Sequence, residues 1–339
     1  MTNFAQQVVK RLEDLGVKRI YGLVGDSLNP LSDAVRQSDI EWVHVRNEEA
    51  AAFAAGADSL AADELAVCGA SCGPGNTHFV QGLFESHRNG SKVLAIASHI
   101  PTVEIGSSFF QETHPELLFQ ECSSYCEVVH NADQGMRILH NALQNTLAGN
   151  GVSVMVVPGD VFAEDTADGP HTSDSVYATG ANKRVYPDPQ EAARLVEAIN
   201  KADKITLFCG YGARDAREEV FALAEKIKSP IGHSFRGKMY FEYDNPFDVG
   251  MSGLLGYGAC VDAMEESDLF IMVGTDFPYT DWLPDENVAQ IDINGAHIGR
   301  RTTVEYPVVG DVKSVIENIL PHIEEKKDRK FLDKMLKRH

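Results

Sequence analysis

Leu65 to Ala70 is an apolar run too short for a helix, and it breaks directly into Cys68-Gly-Ala-Ser-Cys-Gly-Pro-Gly-Asn76. A run of that length suits a buried strand. Gly73 and Gly75 allow backbone angles and close approaches that a side chain forbids, and Pro74 between them stiffens the turn. Beyond the turn Phe79, Leu83 and Phe84 recur at helical spacing, and Val93 to Ala97 is again short and apolar. Strand, turn, helix and strand in that order close as a right-handed crossover between parallel neighbours, which makes the fold class α/β. Taken alone, the Gly-Pro-Gly tripeptide suits a plain tight turn as well as a ligand loop.

The alternation runs along the whole chain. Phe4, Val8, Leu12 and Leu15 mark one helical face, Gly16 ends it, and Val17 to Val24 and Glu41 to Val45 read as strands. Asn47-Glu48-Glu49 opens an alanine-rich helix to Leu60. A helix from Asp133 to Ala148 then leads into Gly151 to Val157, the last strand of this half. Between Phe162 and Pro189 the composition turns to Asp, Gly, Pro, Ser and Thr, the signature of an interdomain linker. A second half follows, in which Lys204 to Gly210 is a strand entering the turn Gly210-Tyr-Gly212, ahead of a helix from Arg214 to Lys228. Amides at such a helix start can hold phosphate. Asp215 stands where the dinucleotide fingerprint GxGxxG has its third glycine, so that fingerprint is incomplete. Leu269 to Val273 ends in Gly274-Thr-Asp-Phe-Pro278, and Val288 to Ile293 carries Asp292 near its C-terminal end. There an acidic residue either accepts bonds from ribose hydroxyls or caps a turn. Two consecutive doubly wound parallel-sheet domains account for 339 residues.

Charge excludes one class of partner. At −20 the chain lacks the clustered Lys and Arg that nucleic acid requires. No apolar stretch spans a bilayer, and the first residues lack a signal peptide's basic and apolar regions, so the expectation is a soluble cytoplasmic protein. The six cysteines include two CxxxC pairs, Cys68/Cys72 and Cys122/Cys126, instead of the CxxC of zinc or redox sites. They read as small buried thiols, with no metal ligand assigned.

Seven segments together carry a resemblance: Gly22-Leu-Val-Gly25, Arg46-Asn-Glu-Glu-Ala-Ala-Ala-Phe-Ala-Ala-Gly56, Ser71-Cys-Gly-Pro-Gly-Asn-Thr-His78, Phe110-Gln-Glu-Thr-His-Pro115, Ser234-Phe-Arg-Gly-Lys238, Tyr243-Asp-Asn-Pro246 and Gly274-Thr-Asp-Phe-Pro278. Across nearly all its length the chain resembles the first two domains of the pyruvate:quinone oxidoreductases. These are flavin-containing pyruvate oxidases of the thiamine diphosphate (ThDP)-dependent decarboxylase and acetohydroxyacid synthase superfamily. The resemblance implies a pyrimidine-binding domain at 1–182 including the start of a linker, a central FAD-binding domain of Rossmann-like type at 183–330, and at 331–339 the start of a linker to a third domain.

It also implies roles. Glu48 would bond the aminopyrimidine N1′ of ThDP, with Gly22, Gly25, Gly73, Pro74 and Gly75 lining the cofactor. Asn47 departs from the histidine usual before that glutamate. His78, Phe110 and Gln111 would approach the thiazolium and the substrate carbon. FAD would meet Gly210, Gly212, Lys238, Met251, Ser252, Gly253, Leu254, Gly274, Thr275, Asp276, Phe277 and Pro278, with Asp292 on its ribose. Arg236 would take the pyrophosphate, which a guanidinium can bond bidentately.

The implied reaction is oxidative decarboxylation of pyruvate to acetate and CO2, with electrons passing through FAD to a membrane quinone, in a homo-oligomer peripheral to the inner face of the cell membrane. Mg2+ and the diphosphate would be held by a Gly-Asp-Gly motif of the third domain. Here Gly25-Asp26, Gly159-Asp160 and Gly310-Asp311 are followed by Ser, Val and Val, so the expectation is a truncated chain, inactive alone. Alternatives of other classes are a non-catalytic flavin-binding or assembly module and a carboligase of the acetolactate synthase type.

Overall fold

The computed structural model describes residues 2–166, Tyr177 and 184–339, so most of the expected linker lies outside the described residues. The chain divides into two units, 1–182 and 183–339.

In the first unit six strands form one all-parallel sheet: β1 (Arg19–Gly22), β2 (Glu41–His44), β3 (Ala66–Ala70), β4 (Val93–His99), β5 (Tyr125–Val128) and β6 (Ser153–Pro158), in the order β2-β1-β3-β4-β6-β5. Helices cover both faces, which is why β3, β4 and β6 are buried from end to end and are apolar without alternation. One face packs Phe4, Leu12, Leu31 and Leu139; the other packs Ala51, Ala55, Phe79 and Leu83. On that second face the helices Glu48–Ala62 and Pro74–Asn89 lie close. A Cβ on Gly82 would stand 2.6 Å from that of Ala52, and one on Gly56 would stand 2.2 Å from Ser86 Oγ. The alanines and glycines of this pair are therefore what sets its spacing. Asn47 caps the first of these helices, its side chain accepting from Glu49 N–H at 2.8 Å. The helix expected at Asp133–Ala148 runs Ala132–Asn145 and widens into a turn at Thr146–Asn150.

The second unit has seven strands, β7 (Ile205–Cys209), β8 (Ile231–His233), β9 (Asp248–Met251), β10 (Tyr257–Gly258), β11 (Leu269–Val273), β12 (Val288–Asp292) and β13 (Tyr306–Val309), ordered β10-β9-β8-β7-β11-β12-β13. All pairs are parallel except β10 with β9 at one edge, so the expected doubly wound parallel architecture holds. A tight return through residues 252–256 brings the chain back on itself there, and no helix intervenes. The helix expected from Arg214 begins at Arg217, because residues 211–216 wind more tightly as a 3-10 segment. Residues 331–339, expected to open a linker, lie mostly in the helix Lys330–Arg338. Leu332 and Met335 are fully buried, Met335 in a cluster with Val249, Ala259 and Ala263, while Arg338 bonds Glu266 at 2.7 Å. Phe331, Leu332, Met335 and Leu336 share one stripe, so this helix is docked on the unit. Among the described residues no helix is long and apolar enough to cross a membrane.

Candidate active site

Strand order places a natural crevice in each sheet. In the first, neighbours diverge between β1 and β3, the switch point beyond whose C-terminal ends ligands of open α/β sheets bind. The loop after β1 carries Gly25 and Ser27, and the loop after β3 carries Ser71 to Gly75. The two are stitched across the switch point. Ser27 Oγ lies 2.9 Å from Ser71 Oγ and 2.6 Å from Ser98 Oγ, and it accepts from the Cys72 N–H at 3.1 Å. A Cβ on Gly25 would meet Ser71 Oγ at 2.3 Å, so glycine is what lets these loops close.

Glu48 opens its helix from the end of β2, and only 5% of its surface is exposed. Its Oε2 lies 2.9 Å from His78 Nδ1 on the neighbouring helix. A carboxylate only accepts, so the ring hydrogen sits on Nδ1 and leaves Nε2 to bond elsewhere. The other oxygen faces Gly75, where a Cβ would stand 3.1 Å from Oε1. Gly73, at φ +67°, packs against Gln111: a Cβ there would lie 2.7 Å from Gln111 Cβ and 2.9 Å from its carbonyl oxygen. Cys72 Sγ reaches Gln111 Oε1 at 3.5 Å. Thus Glu48, Gly73, Pro74, Gly75, His78 and Gln111, far apart in sequence, form one cluster, with Gly25 at its floor. Gly22 stays inside β1, where Trp42 and the Gly69 carbonyl leave no room for a side chain. Phe110 is 77% exposed and lies on the surface instead of in the core. Gly73→Ala should destabilise the protein by about 1–3 kcal/mol, through the disfavoured backbone and the contact with Gln111, as read from denaturant midpoints. A change below about 0.5 kcal/mol would show that the two loops do not depend on each other.

These residues fit a nitrogen heterocycle such as the ThDP pyrimidine. A buried carboxyl group with one bonded imidazole, beside a position kept free of side chain, can donate to a ring nitrogen when protonated and accept from that nitrogen's N–H once the proton has moved. Sequence reasoning missed the Ser27–Ser71–Ser98 hydroxyls and Cys72. Ser71 and Cys72 stood within a quoted motif, but pairing across 44 residues leaves no local signal.

In the second sheet the switch point falls between β7 and β11. The turns after these strands interlock: a Cβ on Gly210 would stand 2.4 Å from Thr275 Cβ, and one on Gly212 would stand 2.9 Å from the Gly274 carbonyl. These glycines are thus required by turn-on-turn packing. Arg236 stacks its guanidinium 4.1 Å from the Tyr211 ring centre, beside Arg214 at 4.3 Å, which sets two cations beyond β7. Ser252 is buried, and among the described residues its Oγ has no hydrogen-bond partner. Gly253 packs on Tyr279 and Phe277, while Leu254 is 73% exposed. Asp292 sits buried at the end of β12, where burial raises its carboxyl above the ordinary aspartate range despite bonds from Asn294 N–H and His297. Asp276 is instead held by Arg300 and Arg301, and Lys238 by Glu242 and by Tyr257 Oη at 2.7 Å. Phe277 and Met251 are core residues, and Pro278 is exposed at the lip. A hydroxyl after β9, a buried carboxyl at the end of β12 and two guanidinium groups on Tyr211 lie at C-terminal strand ends of this sheet, which suits a dinucleotide such as FAD. Asp276 and Lys238 are committed to ion pairs.

All six cysteines are free thiols. Burial pushes Cys122 up to about 11 and Cys126 up to about 12, which keeps both protonated and unreactive.

The N-terminal TPP binding domain of thiamine pyrophosphate enzymes matches residues 2–119, and the central domain of the same enzymes matches residues 192–319. An uncharacterised 42.6 kDa protein from the isoamylase 3′ region of Pseudomonas amyloderamosa is 46% identical over 99% of this chain and 85% of its own length. The pyruvate oxidase of Lactiplantibacillus plantarum is 27% identical over 94% of the chain and 54% of its own length. A probable acetolactate synthase large subunit of Methanocaldococcus jannaschii is 29% identical over 93% of the chain and 55% of its own length. The chain thus spans about half the length of these two relatives whose names state an activity. With Glu48 buried beside the glycine loop and both domain types present in order, the chain belongs to the thiamine pyrophosphate enzymes, of which it carries the N-terminal and central domains.

Proposed function

We propose that this chain supplies the ThDP and FAD sites of an enzyme that oxidises pyruvate to acetate and CO2, with ThDP at the first switch point, FAD at the second and a membrane quinone as electron acceptor. The observation that supports this most is the buried Glu48 carboxylate facing Gly75. When bound, ThDP supplies a nucleophilic carbon and a sink for the electrons freed by decarboxylation, and the flavin takes up an electron pair. The chain's own part is binding and proton handling. Glu48 exchanges a proton with the pyrimidine N1′, His78 holds that carboxylate in place, and the Gly73–Gly75 turn leaves the heterocycle room. Arg236 would hold the flavin pyrophosphate and Asp292 its ribose. Pyruvate and water give acetate, CO2, two protons and two electrons, and the quinone takes the last two pairs as quinol. Mg2+ belongs at the diphosphate, for which no ligand is assigned in this chain. A cytoplasmic homo-oligomer meeting the inner face of the cell membrane completes the reading.

Carboligation to acetolactate is the second reading, favoured by the 29% identity to an acetolactate synthase subunit. A third is a flavin-binding module without catalysis. Incubation of the whole protein with ThDP, Mg2+, FAD, pyruvate and a quinone separates the three. Acetate formed in step with quinol supports the proposal. Acetolactate, or flavin binding with pyruvate left untouched, overturns it.

A further inference from the structure

Resting on that reading, we propose that Glu112 is a positioning residue of the site, tying the loop 106–112 so that Gln111 is held over the Gly73 turn and Phe110 beside it, where a small 2-oxo acid would be bound. From residue 101 to 114 no side chain is buried: Val103, Phe109 and Phe110 are 86%, 43% and 77% exposed. The hydrophobic effect therefore does little to fix this loop. Its backbone is nonetheless unusual, with φ +88° at Gly106, +62° at Ser108 and +66° at Gln111, and the last two are not glycine. Thr102 is tied to Asp160 and Ser107 to Glu104, but the part of the loop that carries Gln111 is closed by one carboxylate. Glu112 Oε1 accepts from the Gly106 N–H, and Oε2 accepts from the Phe109 N–H at 3.1 Å. The Glu112 N–H closes a turn onto the Phe109 carbonyl at 2.9 Å. The amides, that of Gly106 above all, hold this carboxyl below the usual glutamate range. Charge-assisted bonds of this kind outweigh neutral ones. Gln111, the next residue back, packs on Gly73 and Cys72 at the floor of the Glu48 cluster. Among the described residues the Glu112 carboxylate bonds its own loop, so its effect on chemistry passes through Gln111 and Phe110.

The test compares Glu112→Ala and Glu112→Gln with the unsubstituted whole protein by amide exchange over 102–114, Cys72 alkylation mapped by mass spectrometry, thermal midpoint and pyruvate kinetics. In Glu112→Ala the Gly106, Ser108 and Phe109 amides are expected to lose protection, Cys72 to alkylate faster, and kcat/KM for pyruvate to fall by about 10²-fold at unchanged midpoint. Glu112→Gln, which keeps one carbonyl acceptor, should lie between the two. Unchanged protection and unchanged Cys72 alkylation would overturn the proposal, as would lost protection with kcat/KM intact. Should the unsubstituted protein ignore pyruvate, the oxidase reading fails, and exchange with Cys72 alkylation still decides whether Glu112 holds Gln111.

Discussion

Glu48→Gln is expected to lower ThDP-dependent pyruvate turnover by about 10²–10⁴-fold while leaving the fold in place. The carboxamide has the same shape, and its oxygen can still accept from His78 Nδ1, where the native pair stands at 2.9 Å. What it cannot do is give and take a proton at a ring nitrogen. A neutral group is also easier to bury than a carboxylate at a position 5% exposed, so stability should hold or rise. Steady-state kcat with saturating cofactor, beside a circular dichroism melt, checks both halves. Turnover within tenfold of the unsubstituted protein would remove Glu48 from the chemistry.

Phe208→Ala should be the more damaging change to the second unit. Phe208 lies in β7, fully buried, with Phe270 at 5.9 Å and Phe277 edge-on at 5.0 Å. Cys260, Met264, Met272 and Leu283 close the same cluster. Truncation leaves a cavity that a strand between two paired neighbours cannot collapse to fill, at a cost of about 3–5 kcal/mol. That is a large fraction of the whole stability of an ordinary domain. Because Phe277 belongs to the turn after β11, flavin affinity should fall with it. A urea midpoint unchanged in the variant would contradict the packing described.

The central strands were legible because burial on both faces leaves a short continuous apolar run, as in β3, β6 and β11. β5, β8, β9, β10 and β13 were not, β8 and β10 because three and two residues are too few to show a run. Tyr125–Val128 is only half-buried, Asp248–Met251 holds a carboxylate and a glycine, and Tyr306–Val309 contains Pro307. In the helix Lys330–Arg338 basic residues surround an apolar stripe and mask it in the sequence. At the site, Gly73 and Gly75 could be singled out from backbone chemistry, and Glu48 as a helix-opening carboxylate. That Glu48 and His78 meet across 30 residues, or Cys72 and Gln111 across 39, is a product of strand order and has no local trace. The Glu112 contacts are the reverse case. They span at most six residues, but nothing in the order of residues 106–112 marks which amides the carboxylate will meet.

The two-residue strand β10 lies antiparallel along β9, and at the opposite margin β13 places Pro307, which has no N–H to donate. Between them they leave the second sheet with one border occupied and the other interrupted. Another polypeptide would find no long unbroken ladder there to extend, so this unit is protected against runaway strand addition and amyloid-like stacking. Self-association, where it occurs, is then left to side-chain surfaces on the helical layers, which can be selective where an open ladder cannot.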